Sequence, residues 1–212
     1  MDVIEQLGVA LGLASLAGLN LYLTVLVTGL ALRLDFVALA DRFHCLSLLE
    51  HPLILATSAT LFLLEFFADK VPWVDSLWDS LHTIIRPAGA VLVALPALGE
   101  ADPVLQVVGA LLAGGVAATT HATKASARLL INTSPEPVSN TVASVAEDTA
   151  VLAGLGVIAY SPLLAFIIVA LLLLCALLLL PRTWRAAQAT RTRLSNLARK
   201  LSARWSTAEH SR

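Results

Sequence analysis

EFFADKVPWVDSLWDSLHTIIRP, residues 65–87, sets four acids, two bases and a histidine between two strongly apolar runs. Either these charges belong to a solvated loop joining two membrane helices, or they belong to two helix ends that turn charged faces inward. Glu65 and Asp69 are four apart and share a helix face, with Lys70 about 100° round from Asp69. Lys70-Val71-Pro72 then forces a break, because the residue before a proline avoids helical geometry. Beyond it, Asp75, Asp79, His82 and Arg86 recur at intervals of four, three and four, a helical stripe roughly 60° wide. A stripe that narrow faces one thing. The competing reading leaves residues 69–82 in a solvated loop with Trp73 and Trp78 as interfacial anchors. It is weaker for Glu65, Lys124, Arg128 and Glu147, whose helices would have to stop early.

The rest of the chain supplies the setting. It has 212 residues, 58% hydrophobic and 14% charged, with a mean hydropathy of +0.81, well above that of a soluble domain. Residues 7–32, 103–123 and 149–181 contain no Asp, Glu, Lys or Arg, and about 20 such residues suffice to cross the hydrocarbon layer. The runs are continuously apolar instead of alternating, so they read as helices and not as a barrel. Runs and breakers together predict an all-α polytopic membrane protein of six helices, roughly 5–33, 52–70, 75–98, 103–131, 138–159 and 162–181. Pro52, Pro72, Pro103, Pro137 and Pro162 stand at or just before starts or turns, where a missing N–H costs little. Met1-Asp2-Val3-Ile4-Glu5 is acidic where a signal peptide is basic, so the first run reads as a retained membrane helix. Cys45 and Cys175 match no paired framework, and Cys175 reads as a lipid-facing or packing residue.

Residues 1–181 form the expected membrane domain and 182–212 a basic tail. The tail holds eight of the 14 Lys and Arg and one acid, Glu209, an excess that marks the cytoplasmic side. Leu194, Leu197, Leu201 and Trp205 repeat at helical spacing among Arg193, Arg199, Lys200 and Arg204, which describes a helix lying on an anionic leaflet. A disordered basic tail is the plainer alternative. Nucleic-acid binding is not needed to explain this charge. Residues 1–99 and 100–181 read as two pseudo-symmetric three-helix halves, because long first members end in Arg33-Leu34 and Arg128-Leu129 and each second member is rich in polar groups. Paired, interrupted segments of this kind point toward the binding site of a transporter.

Two further stripes answer the first. His121, Lys124, Arg128 and Asn132 follow spacings of three, four and four, and Asn140, Ser144 and Glu147 or Asp148 follow in SNTVASVAED. If the stripes converge, Glu65, Asp69, Asp75, Asp79, Glu147 and Asp148 face Lys70, Arg86, Lys124 and Arg128, leaving two acids in excess. An ionisable side chain at membrane depth costs a few kcal/mol even on lenient scales, so such groups pair or line a cavity. Separations above about 15 Å among Glu65, Asp69, Lys124 and Glu147, beyond any shared hydrogen-bond network, would end the single-site idea. Purely structural ion pairing is a further alternative, though polar contacts between membrane helices are individually modest. Small residues such as Gly12, Gly18, Gly29, Ala113, Gly114, Ala117 and Ala118 serve close helix packing, and Asn20 and Thr24 read chiefly as helix–helix hydrogen-bonding groups. His44, His51, His82 and His121 show no metal motif, the serines lie in no nucleophile elbow, and no motif names a cofactor.

EFFADKVPWVDSLWDSLHTIIRPAGA and THATKASARLLINTSPEPVSNTVASVAEDTAV resemble the two signature regions of the bacterial membrane proteins grouped as domain of unknown function 4126, over about residues 8–180. The specific parts are Asp-Lys-x-Pro with a following Asp, Arg-Pro with a nearby Gly, and the Glu-Asp pair. The resemblance implies a bacterial inner-membrane protein of several helices and carries no activity. The positions matching the family's pattern are Asp69, Lys70, Pro72, Asp75, Arg86, Pro87, His121, Lys124, Arg128, Asn140, Glu147 and Asp148.

The leading expectation is a transporter or channel with a charged central site for a small ion or polar solute, coupled to protons through His82 or His121. Two acids in excess favour a cation, which carboxylate oxygens would hold. The runner-up is an enzyme or carrier acting on a lipid headgroup or isoprenoid phosphate, gripped by the basic residues. The third is a non-catalytic membrane subunit whose tail recruits partners.

Overall fold

A computed structural model describes residues 3–36, 44–99, 101–131 and 137–178. Among them every regular element is helical and no strand occurs. The α-helices are α1 (Val3–Leu19), α2 (Leu21–Arg33), α3 (Pro52–Ala68), α4 (Pro72–Ala94), α5 (Pro103–Ile131), α6 (Pro137–Tyr160) and α7 (Pro162–Leu178). Short 3₁₀ segments cover His44–Glu50 and Leu95–Leu98. The chain divides into two compact units, Met1–Ala170 and Leu171–Arg212, and every contact below lies within the former. The basic tail, Asn132 and the amphipathic pattern from Leu194 to Trp205 lie outside the described residues.

The inside-out distribution of side chains identifies the solvent. Leu92, Leu111, Leu130 and Ile84 are each at least 70% exposed, while Arg86 and Arg128 are among the largest fully buried side chains. A water-soluble chain inverts that pattern, since charged groups are its least buried and broad apolar surface its rarest. Trp73–Leu98, Pro103–Ile131 and Val138–Tyr160 are long and apolar enough to cross a membrane, and four further apolar helices are shorter. The protein is a helical membrane protein.

α1 is the central rod. It is buried continuously from Gly8 to Gly18, as expected of a helix apolar on all sides, and packs against α4, α5 and α6. Close approach needs its glycines. A Cβ on Gly18 would lie 2.6 Å from the Ala117 carbonyl oxygen of α5, and one on Gly8 would collide with the Pro162 carbonyl. Ala113 and Ala117 are fully buried and serve the packing read from sequence, whereas Ala118 is exposed.

One expectation is corrected. The run from 5 to 33 is not a single helix, because Asn20 adopts an extended conformation (φ −147°, ψ 100°) and separates α1 from α2. Asparagine favours the N-cap position because its side-chain oxygen replaces a missing helical acceptor. Here Oδ1 accepts from the Leu23 N–H at 3.0 Å. Pro103–Ile131, the helix read from sequence as its counterpart, is continuous. Residues 69–82 follow the reading of two helix ends meeting at Pro72 and not the competing loop. Only Asp69, Lys70 and Val71 lie between α3 and α4, Val71 is extended before Pro72, and Asp75 and Asp79 are buried on α4. The solvated loop is therefore absent, although Trp73 is 72% exposed as an interfacial residue would be.

Candidate functional site

Four helix faces meet around Lys124. On α3 and just beyond it stand Glu65 and Asp69, on α4 Asp75, Asp79, His82 and Arg86, on α5 His121, Lys124 and Arg128, and on α6 Asn140, Ser144, Glu147 and Asp148. All are buried except Glu147 and Asp148, which are half-buried. The intervals of three and four that made the stripes legible bring the side chains to one side of each helix, and packing of α4, α5 and α6 on α1 and of α3 on α2 and α4 turns those sides together.

Lys124 is the hub. Its Nζ lies 3.4 Å from Glu65 Oε1, 3.9 Å from Asp69 Oδ2 and 3.2 Å from Glu147 Oε2, so the carboxylates that had to be close for a single site are close. It also donates to the Leu19 carbonyl oxygen at 3.1 Å. That last contact depends on the helix break. In an unbroken helix the Leu19 carbonyl would accept from the Leu23 N–H, which the Asn20 side chain takes instead. The Gly18 carbonyl likewise accepts from Arg86 Nη1 at 3.4 Å. The C-terminal end of a helix carries partial negative charge on its unpaired carbonyls, and here it meets two cations.

To one side of Lys124 lies Arg128. Its Nε and Nη2 form a two-pronged pair with Glu147 at 2.9 and 2.7 Å, Nη2 also reaches Asp69 Oδ2 at 3.2 Å, and Nη1 donates to the Asn140 carbonyl at 3.2 Å. Asp75 Oδ1 lies 4.0 Å from Nη1. Bidentate guanidinium–carboxylate geometry is the strongest of the charge-assisted arrangements. Lys70, half-buried, donates to Ser144 Oγ at 3.1 Å and lies 3.7 Å above the Phe66 ring, and Ser144 donates on to Asp69 at 3.4 Å.

To the other side lies Arg86, which donates from Nη2 to Glu65 Oε1. Its Nη1 lies 2.9 Å from His121 Nδ1 and 3.6 Å from Asp79 Oδ1. Because guanidinium only donates, Nδ1 of His121 accepts, and its Nε2 carries the proton that meets the Asp79 carbonyl at 3.0 Å. His82 is held the opposite way, with Nδ1 against the Trp78 carbonyl at 2.8 Å and Nε2 accepting from Tyr22 Oη at 2.9 Å. Its ring stacks on Trp78 with centroids 4.7 Å apart. Several buried polar atoms have no hydrogen-bond partner among the described residues, Glu65 Oε2, both carboxylate oxygens of Asp79 and Arg86 Nε on this side, and Asp69 Oδ1 and the Asn140 side chain on the other.

Tyr22 and the Gly18 and Leu19 carbonyls escaped sequence reading, and Asn20, read there as a helix–helix hydrogen-bonding group, makes such a bond and also breaks the helix. Asn20 caps α2 and donates from Nδ2 to Asp148 Oδ1 at 3.0 Å, Tyr22 holds His82, and Gly18 and Leu19 offer backbone carbonyls. Thr24 donates to the Asn20 carbonyl of its own helix at 2.7 Å and not to a neighbour. Among the described residues no three His, Cys, Asp or Glu side chains are disposed to hold a metal ion. A surface depression lined by Ser47, Leu48, Glu50 and His51 shares no residue with the cluster.

The family model for the domain of unknown function DUF4126 matches residues 7–182. The chain belongs to that family. The match spans α1 to α7 and so contains the whole charged cluster. No curated protein and no solved structure matches the chain, so the family brings a fold-bearing region without an activity, and the chemistry of the DUF4126 site rests on its geometry.

Proposed function

We propose that this membrane protein is a transporter or channel for a small cation or polar solute, with the cluster around Lys124 as its central site. The observation that carries the reading is the broken helix, whose freed Gly18 and Leu19 carbonyls face Arg86 and Lys124. Discontinuous membrane helices whose cut ends meet ions at the centre of the bundle are a recurrent feature of transporters. The charge balance supports a cation, since Glu65, Asp69, Asp75, Asp79, Glu147 and Asp148 gather around four bases, Lys70, Arg86, Lys124 and Arg128.

In this reading the protein lies in a bacterial inner membrane with six crossings, α1 and α2 making one together. Two three-helix halves, α1 to α4 and α5 to α7, are related by pseudo-symmetry. The C-terminus is cytoplasmic, and the basic tail 182–212 rests on the anionic leaflet. The rival reading, action on a lipid headgroup or isoprenoid phosphate, asks Arg86 and Arg128 to grip phosphate. Both are almost wholly buried and already engaged by carboxylates, which counts against it.

Reconstitution tests the proposal. Proteoliposomes carrying the full chain are expected to move at least one member of a panel of sodium, potassium, ammonium, methylammonium and small neutral polar solutes, and Glu65→Gln is expected to abolish that flux. No flux for any member would overturn the reading. Copurifying phospholipid lost on Arg128→Gln would favour the rival.

A further inference from the structure

The most unusual group in the cluster is Lys124. A lysine is rarely sealed from solvent, since its ammonium is strongly hydrated and its stem flexible, yet this side chain is 1% exposed. Its Nζ stands among four oxygens from three different parts of the chain. They are the Leu19 carbonyl at 3.1 Å, Glu147 Oε2 at 3.2 Å, Glu65 Oε1 at 3.4 Å and Asp69 Oδ2 at 3.9 Å. One backbone carbonyl at a helix break with several carboxylates is a donor set for a hard monovalent cation, since oxygen ligands suit such ions. With the ammonium in place the distances are those of N–H donors and longer than metal–oxygen bonds, and among the described residues no three acids are disposed to hold a metal ion as they stand.

A second observation points to a ligand on the same groups. Glu65 is fully buried and Asp69 nearly so, and each leaves its other carboxylate oxygen, Glu65 Oε2 and Asp69 Oδ1, without a hydrogen-bond partner among the described residues. Buried carboxylate oxygens are normally satisfied, and those that are not mark places where an ion or water belongs.

We propose that the Lys124 ammonium is a tethered cation occupying the cation-binding position of this site, and that a small monovalent cation enters by replacing it. The inference deepens the transport reading and rests on it for the identity of the site. Charge balance fixes the chemistry of the exchange. A cation entering beside a protonated Lys124 would add an uncompensated buried positive charge, which desolvation opposes. Loss of one proton from Nζ leaves the cage with its original charge, the entering cation takes the place of the ammonium, and the neutral amine withdraws. One cation enters and one proton leaves, which is cation–proton exchange.

The groups that set the pH dependence are those facing Lys124 from each packed element. They are Glu65 and Asp69 from α3 and its end, Asp79 and Arg86 from α4, Glu147 and Asp148 from α6, and His121 and Arg128 on α5 itself. Glu147 is the most exposed of the three cage carboxylates, at 17%.

Proton release is the direct test. The full chain in detergent, in weakly buffered solution with a pH-sensitive dye, is titrated with sodium, potassium and ammonium chloride, using choline chloride as the control. For at least one of them release of about one proton per chain is expected, because binding at a protonated ligand set expels protons. Lys124→Met is expected to raise its melting temperature on adding the same cation, with no proton released, and the added Glu147→Gln to remove that shift. Lys124→Arg, which keeps a fixed positive charge in the cage, is expected to lose both binding and release. Wild-type protein that binds a cation without releasing protons would overturn the inference, as would a folded Lys124→Met variant stabilised by none of the three. A wild-type chain that releases no proton with any of them overturns it regardless of how the variants fold. Proton-coupled binding without flux would leave this inference standing and remove the transport reading, and flux without proton release would do the reverse.

Discussion

Arg86 and Arg128 are both buried, both paired with carboxylates and both joined to Lys124 through a shared acid, yet their surroundings differ in one respect. Arg128 meets Glu147 with two hydrogen bonds, Asp69 with a third and a backbone carbonyl with a fourth. All three guanidinium nitrogens of Arg128 are thus engaged, whereas Arg86 leaves Nε without a partner and stands beside Asp79, neither of whose carboxylate oxygens is hydrogen-bonded. Single unpartnered carboxylate oxygens occur at both ends, Glu65 Oε2 beside Arg86 and Asp69 Oδ1 beside Arg128. A saturated ion pair holds helices in register. An undersatisfied one carries an unfavourable desolvation that packing alone does not offset, and such groups gather where binding or exchange takes place. In the proposed reading the Arg128 pair holds the bundle together, and the Arg86–Asp79 side, with the Lys124 cage between the two, carries its work.

The assignment breaks most visibly at Arg128. Arg128→Met leaves the buried Asp69 and the half-buried Glu147 without the guanidinium that bridges them, and a loss of about 3 kcal/mol is expected, the lower end of the usual cost of removing one member of a buried pair. Unfolding of the variant in mixed micelles checks it; stability within the error of wild type would mean that the pair is not structural. A smaller effect follows from Asn20, which links the helix break to the network. Asn20→Ala removes the cap on Leu23 and the donor to Asp148, and about 1–2 kcal/mol of destabilisation is expected from the lost cap. Asn20→Asp keeps a capping oxygen but sets a second acid against Asp148, so it should recover stability at acidic pH more than at neutral pH. Equal stability of the two variants across pH would separate Asn20 from Asp148.

How much of this was legible depended on whether the signal lay in spacing or in packing. The charged stripes were readable because intervals of three and four put Asp75, Asp79, His82 and Arg86, or His121, Lys124 and Arg128, on one face whatever the tertiary structure. Lys70-Val71-Pro72 was readable because proline constrains its neighbour. The break at Asn20 was hidden inside a run without Asp, Glu, Lys or Arg from residue 7 to 32, where hydropathy speaks for continuity. Its only local mark is an asparagine two residues after Gly18, and N-cap preference is weak evidence without the partners that make the break stable. Those partners, Arg86, Lys124 and Asp148, lie 66, 104 and 128 residues away in sequence, and nothing local identifies them. Tyr22 escaped for the same reason, since its phenol matters only because α4 carries His82 alongside. The all-helical membrane architecture was legible from composition, whereas the division of labour between Arg86 and Arg128 is a property of hydrogen-bond geometry.

Asp79 tests that division most directly. Its carboxylate makes no hydrogen bond and lies 3.6 Å from Arg86, so neutralising it removes a Coulomb attraction and a buried charge together, two effects that largely offset each other. Cation flux into proteoliposomes and unfolding in mixed micelles should be measured on the same preparation of Asp79→Asn. The expected result is stability within about 1 kcal/mol of wild type with flux lost. Wild-type flux accompanied by a large loss of stability would contradict the account, because it would make the Arg86 end the scaffold and leave the functional site without its distinguishing acid.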